Sequence, residues 1–572
     1  MRTRLLAGLL LCPLLLTGCA TGTPGGSPSG NPPTTSASPD KLLVIFVRVE
    51  PSTLATRSFV QKSAGLFVPW RLFNALPALV DAHGDSLPEL LAELPALNTG
   101  SWQVFPDGTM QTNYTVRPNL TWHDGQPLTA DDFVFGWRVY SHPDLGLASQ
   151  PPMSAIADAS VTDKEHFTIR WKALYPDADS LSAIDRELSP LPQHVFGASL
   201  DQMASSGKDQ FINHPGWSTQ YVGSGPYRLQ NREPGSFLDL VRFDGYALGV
   251  PKIARIQLRF SDDQNVVVAH MLAGEAQMAT DQSLGQTGGE TLSHSWAATN
   301  GGTILQLPTT WRYLGFQLRP ELATPKSLLD IRFRKAVAHA LDRQPIVDAA
   351  YGGQAYIADT PVWSNSIWGP ALEGVPTYPY DARLAEGLLN ELGYVRGSDG
   401  VHRNAEGRLS LEIASTESPT TAAEILIAAN QLQSAGFDMQ QRVIPAAQAQ
   451  DSQLRANFPG TQIISTLLGE PGLDTLSTTQ TPTENNRWVG GNRGAWSSPE
   501  YDRLLTSFNH TLSRPERLTV LGQMLRIYTD ELPRFSFVFP AQPTAFVSSL
   551  QGPILTPPES RVAWNVHLWE LK

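Results

Sequence analysis

The stretch TWHDGQPLTADDFVFGW, Thr121 to Trp137, holds one histidine, three aspartates and two tryptophans within seventeen residues. His123, Asp124, Asp131 and Asp132 are residue types found in metal sites and acid/base clusters. The local pattern gives them other work. Asp124-Gly125 is a turn dipeptide. Thr129 is placed as a helix N-cap with Asp132 three residues on, a capping box in which Asp stands for Glu. Asp131 and Asp132 fall in the first turn, where the helix dipole favours negative charge. Phe133, Trp137 and Tyr140 follow at i, i+4 and i+7 on one face. The stretch reads as strand, turn and capped helix.

The same kind of punctuation recurs outward from it. Residues 42–50, LLVIFVRVE, read as a buried strand. Residues 330–353 read as two consecutive helices with Asp330 and Asp342 as N-caps, Pro345 in the first turn of the second and Gly352 closing it. Asp381 and Gly393 bracket a helix over 380–394, and Gly436 ends one over 422–438. Ser498 precedes Pro499 at the start of 497–508, and a Ser513-to-Glu516 capping box opens 513–533. FSFVF at 535–539 reads as a buried strand. Strands and helices alternate in an α/β pattern with no internal repeat.

Composition narrows the chemistry. The twelve histidines are never closer than 19 residues apart, so no helix carries an i, i+4 His pair for zinc. There is no HExxH, no GxSxG elbow and no P-loop. The formal charge of −12 argues against nucleic acid and against broad attachment to anionic lipid. Length argues for two or more lobes in a chain of 572 residues.

The first residues read as an export signal: basic Arg2 and Arg4, then an apolar run from Leu5 to Leu16. Leu16-Thr17-Gly18-Cys19 resembles the lipobox of bacterial lipoproteins, which implies acylation of Cys19. Removal of Arg2 and Arg4 takes the charge from −12 to −14. Residues 19–40 are rich in Gly, Ser, Pro and Thr and read as a tether, on the order of 25 Å end to end. The two cysteines are Cys12, in the signal, and Cys19, so the exported domain has neither disulfide nor thiol chemistry. No later segment reads as a membrane span. Ala20 after the lipidated cysteine leaves the choice of membrane open.

Several motifs in order resemble one family, the large solute-binding proteins of peptide-type ABC importers. They are Glu50-Pro51-Ser52-Thr53-Leu54, Tyr114 to Pro118 leading into Trp122 to Phe135, Ser189-Pro190-Leu191-Pro192-Gln193-His194, Val222-Gly223-Ser224-Gly225-Pro226-Tyr227, Asp330 to Asp342, the 380–394 helix and the Ser498-to-Tyr501 start. The resemblance spans about residue 41 to the end. It implies an α/β, two-lobed fold of the periplasmic-binding-protein kind, type II, with an extra subdomain in lobe one. The expected limits are signal 1–18, tether 19–40, lobe one 41–310 plus 536–572 with an inserted subdomain at about 76–190, and lobe two 311–535.

The family's ligand lies between the lobes, so the expected ligand-binding residues are Trp311, Arg312, Trp363, Glu470, Asp474 and Trp496. Of the 14 tryptophans, Trp296, Trp311, Trp363, Trp368, Trp488 and Trp496 fall near expected cleft loops, and flat apolar faces suit an organic solute. Peptide-binding members carry a Trp-x-x-Asp segment whose aspartate pairs with the peptide amine. This sequence has Ser465 to Asp474 there, without the tryptophan, leaving Glu470 or Asp474 for that role.

The expected function is a lipid-anchored extracytoplasmic receptor, monomeric, that captures a peptide or peptide-like solute and delivers it to an ABC permease with cytoplasmic ATPases. No cofactor, metal, nucleic acid or catalytic step is expected. The alternatives are a receptor for an oligosaccharide or metal chelate, a ligand sensor, and a lipoprotein hydrolase with a scattered triad.

Overall fold

A computed structural model of the chain describes residues 41–57, 59, 67–182, 186–418, 420–449 and 451–572. The signal, Cys19 and the tether lie outside the described residues, which belong to one packed unit, Lys41–Lys572.

One strand organises that unit. Arg534–Val547 runs for 14 residues and is buried along nearly all its length. Its first part pairs antiparallel with Thr310–Phe316 and Ala355–Ile357, and its second with Gly302–Pro308 and Met278–Ala279. The change of partners falls between Pro540, opposite Ala355, and Ala541, opposite Pro308. Thr310–Phe316 continues through Thr461–Leu467 to Ser410–Thr416 and Asp438–Ile444. In the other direction Met278–Ala279 leads to Leu42–Val47, Arg255–Phe260, Phe237–Arg242 and Tyr227–Glu233. The result is two lobes of mixed α/β structure sharing a 12-stranded sheet. The expected limit at 535/536 falls inside the shared strand.

Each lobe has its own core. In one, Leu43, Ile45, Ile256, Leu258, Phe546 and Trp569 pack together. In the other, Phe333, Val337, Leu411, Ile413, Phe535 and Phe537 do so. Beside the first lies a separate four-stranded antiparallel sheet of Trp102–Val104, Met110–Thr115, His166–Trp171 and Ile156–Val161. Its core includes Phe133 and Tyr140 of the helix Ala130–Tyr140.

That helix answers the question raised by the opening stretch. Thr129 and Asp132 form the capping box. The Asp132 carboxylate accepts from the N–H of Thr129 (3.0 Å), the N–H of Gln193 (3.0 Å) and the Trp122 indole (3.3 Å). Asp124 pairs with His194 at 2.8 Å. The His123 backbone N–H donates to the Gly223 carbonyl (2.9 Å), and its Nε2 donates to the Gly225 carbonyl (3.0 Å). Burial lowers its pKa to about 4, so the ring is neutral. A Cβ on Gly223 or Gly225 would lie within 2.3 Å of the Phe73–Asn74 backbone, so only glycine allows this approach. The motifs around residues 123, 193 and 224 are thus one interlocked corner.

Other helix ends follow their signals. Asp330 caps Ile331–His339 and Asp381 caps Ala382–Glu391, each through its carboxylate. Gly352, Gly393 and Gly436 take positive φ. The helix Arg514–Glu531 differs: Ser513 stands at its N-cap but its side chain makes no capping hydrogen bond. Among the described residues no helix is long and apolar enough to cross a membrane.

Candidate functional site

A cavity of about 470 Å³ opens between the lobes. One side is built from Asp177, Arg186, Thr280 to Gln282 and Thr556 to Val562. The other is built from Ile367, Trp368, Leu467 to Pro471, Arg514 and Arg517. Five carboxylates and four guanidiniums line it, a charge density that sets the site apart from the cores.

Four of those nine charges, Arg186, Glu470, Arg517 and Asp177, are paired with one another. Glu470 opens the short helix Glu470–Asp474 after Gly469, which takes φ 75°. Its two oxygens accept from Arg186 (3.0 Å) and Arg517 (2.9 Å). Arg186 also reaches Asp474 at 3.2 Å, so one guanidinium from the first lobe bridges two carboxylates of the second. Arg517 lies over the Trp368 and Phe508 rings, its Cζ 4.7 and 4.1 Å from the centroids. Its other acidic neighbour is Asp177 at 3.9 Å. Burial, then the nearby Glu470 charge, pushes the Asp177 carboxyl up, against the pull of Arg517 and Arg186.

Two further acids are tuned. Asp281 is pushed up to about 7 by burial, although one of its oxygens accepts from the N–H groups of both Phe67 and Val68 at 2.8 Å. Glu559 is pushed up to about 7, first by burial and then by Glu470. Among the described residues, no group of three or more His, Cys, Asp or Glu side chains is arranged to hold a metal ion.

The six expected ligand-binding residues are not all brought together. Glu470 lines the cavity, and Asp474 stands behind it through Arg186. Trp311 is fully buried in the second lobe, its indole donating to Ser536 Oγ at 3.1 Å and its ring 4.3 Å from that of Tyr313. Trp363 packs on Tyr356 in the same core. Trp496 packs on Tyr501 and donates to Glu531 at 2.7 Å. Arg312 pairs with Glu424, which also accepts from Tyr351 at 2.5 Å. None of these four is on the cavity wall. The physical reason is alternation: Trp311 and Tyr313 fall on one face of Thr310–Phe316, which is buried in the lobe, and Trp363 and Trp496 fill the same core. Arg186, Asp177, Asp281, Arg517 and Glu559 carry no local sequence signal, because segments far apart in the chain bring them to one cavity. Trp368, one of the tryptophans near the expected loops, does line it.

Comparison with known proteins agrees with this architecture. The family model for bacterial extracellular solute-binding proteins, family 5 Middle, matches residues 94–478. The oligopeptide-binding protein AppA of Bacillus subtilis is 22% identical over 479 residues, 81% of each chain. A Brucella ovis protein named for peptide binding by an ABC transporter is 23% identical over 313 residues, so this chain spans about half the length of that relative, 54%. The solved AppA structure, in complex with a nonapeptide, matches with a TM-score of 0.65 at 18% identity, covering 93% of this chain and 99% of that one. NikZ from Campylobacter jejuni, in complex with Ni(L-His), matches with a TM-score of 0.67 at 19% identity, covering 93% and 100%. The chain belongs to the bacterial extracellular solute-binding proteins of family 5.

Proposed function

We propose that this protein is the lipid-anchored binding component of an ABC importer, capturing a short peptide or peptide-like solute in the cavity between its lobes and passing it to a membrane permease. The observation that carries the reading is the cavity itself. It is charged, it is walled by both lobes, and its 470 Å³ lies within the roughly 300–1,000 Å³ typical of small-ligand pockets. Two crossing segments join the lobes, and a solute between them is enclosed by closure without any bond being made or broken. Relatives named for oligopeptide binding support the peptide class.

In this reading the ligand residues are those of the cavity wall, with Glu470 from the expected set among them, and Asp474 acts through Arg186. Trp311, Trp363, Trp496 and Arg312 hold the second lobe in shape. Cys19 carries the anchor, and residues 19–40 hold the domain off the membrane on its extracytoplasmic face.

Native mass spectrometry of the gently purified chain tests this, with any released molecule identified after denaturation. A set of short peptides supports the reading. A single non-peptide mass reassigns the solute, and NikZ with Ni(L-His) makes a small chelate the reading to take up next. A protein that neither copurifies with nor binds any small solute overturns it.

A further inference from the structure

One carboxylate of the cavity is left open. Glu559 lines it from the C-terminal segment and meets the second lobe at the seam. It receives the backbone N–H of Ile367 and stands beside Glu470, with Arg514 the cation that faces it. It also lies against Gly469, where an added Cβ would sit 3.8 Å from Oε1. Yet Oε2 is covered and has no partner among the described residues. Of the cavity's four cations, Arg561 lies over the Phe67 ring and faces Asp281. Arg514 serves Asp85 and the Gly84 carbonyl, and Arg186 and Arg517 serve Glu470. On the opposite wall, the indole N–H of Trp368, a residue 2% exposed, has no acceptor among the described residues. An acceptor and a donor from opposite lobes, both covered and both unpartnered, thus line one cavity. Buried polar groups without partners are rare in folded proteins and call for an explanation.

We propose that Glu559 determines the specificity of this cavity, selecting a compact solute that carries a protonated amine or guanidinium, while Trp368 Nε1 donates to an acceptor on the same solute. This rests on the lobe-closure reading above. Closure over a neutral solute leaves the already covered carboxylate unpaired, which is costly, and closure over a cation pairs it. The difference between the two closures is the selectivity. With its value raised to about 7, Glu559 must give up a proton to form the pair, so capture of a cation weakens as pH falls from 8 to 6.

The test is calorimetry on the full-length chain in detergent, wild type and Glu559→Gln, with four probes. L-alanyl-L-alanine carries a terminal amine. N-acetyl-L-alanyl-L-alanine carries no cation. N-acetyl-L-alanyl-L-arginine carries only the side-chain guanidinium, and agmatine is a cation that is not a peptide. At least one cationic probe is expected to bind at least tenfold more tightly than the neutral one, with that gap collapsing in Glu559→Gln. Trp368→Phe is expected to weaken the same probe several-fold. Which cationic probe binds tells a terminal amine from a side-chain cation. Equal binding of neutral and cationic probes to wild type overturns the proposal, and this comparison does not depend on the variant folding. So does a change below twofold in a Glu559→Gln chain that melts cooperatively. If every probe fails, the cation class falls, while the copurified solute separately decides the importer reading.

Discussion

At the scale of single residues, Asp281 illustrates how the cavity stores a pH dependence. Both N–H groups that hold it, from Phe67 and Val68, go to one oxygen, Oδ2, and among the described residues no donor is given to the other. Its value is raised from the ordinary 3.8 to about 7, so the folded chain binds its proton more tightly than the unfolded one. The contribution to stability is therefore fully present below about pH 4 and is lost as pH rises through 7. Urea midpoints of wild type should fall relative to Asp281→Asn between pH 4 and 7.5, then run parallel. Curves parallel throughout would remove Asp281 from the titration. Trp311 makes the complementary point. Being fully buried, its replacement by Ala should cost about 3–5 kcal/mol of folding stability by denaturant titration. Any solute that the folded variant binds should keep its affinity. The candidate site was only partly legible in the sequence for the same reason. A tryptophan reads alike whether it lines a cleft or fills a core, and Arg186 acquires its meaning only from Glu470 and Asp474, 284 and 288 residues away.

At the scale of elements, the helix Ala130–Tyr140 was legible because its signals are local. The capping box, the acidic first turn and the aromatic face are all set within a dozen residues. Its strength comes from what the sequence could not display, namely that Asp132 serves three donors from three segments. Thr129→Ala should cost about 1 kcal/mol, as an ordinary cap does. Asp132→Ala should cost clearly more, since each donor left unsatisfied adds about 1–3 kcal/mol. Equal losses in thermal unfolding would reduce Asp132 to a simple capping residue. Strands fared differently. FSFVF was read as a five-residue strand, yet Arg534–Val547 runs for 14. Pro540 and Pro543 stop a strand reading because they lack the N–H that a ladder needs. Here Pro540 sits where the strand changes partners, so the signal that ended the reading marks the passage between lobes.

For the whole molecule, the family motifs were enough to indicate two lobes, but not what links them when no solute is bound. Two covalent crossings are supplemented by Arg186, which ties Glu470 and Asp474 across the cavity. These side chains are 21%, 17% and 38% exposed, so the bridge is screened by solvent and biases closure without locking it. The proposed anchor at Cys19 adds a second whole-molecule expectation. Cys19→Ala should move the protein from the membrane fraction to the soluble one, with solute affinity unchanged, and loss of affinity would give residues 19–40 more than a spacing role. The bridge makes the sharper prediction. Arg186→Gln removes the guanidinium by which the first lobe holds Glu470 and Asp474 of the second, so the seam loses two ion pairs and the lobes part. In small-angle scattering the solute-free variant should have a larger radius of gyration than wild type. Raising the salt from 50 to 500 mM should expand wild type more than the variant, because the variant keeps the Arg514–Asp85 and Arg517–Asp177 pairs across the seam but has lost the two made by Arg186. An identical radius for both chains at low salt would mean that packing along the crossing strands alone sets the distance between the lobes.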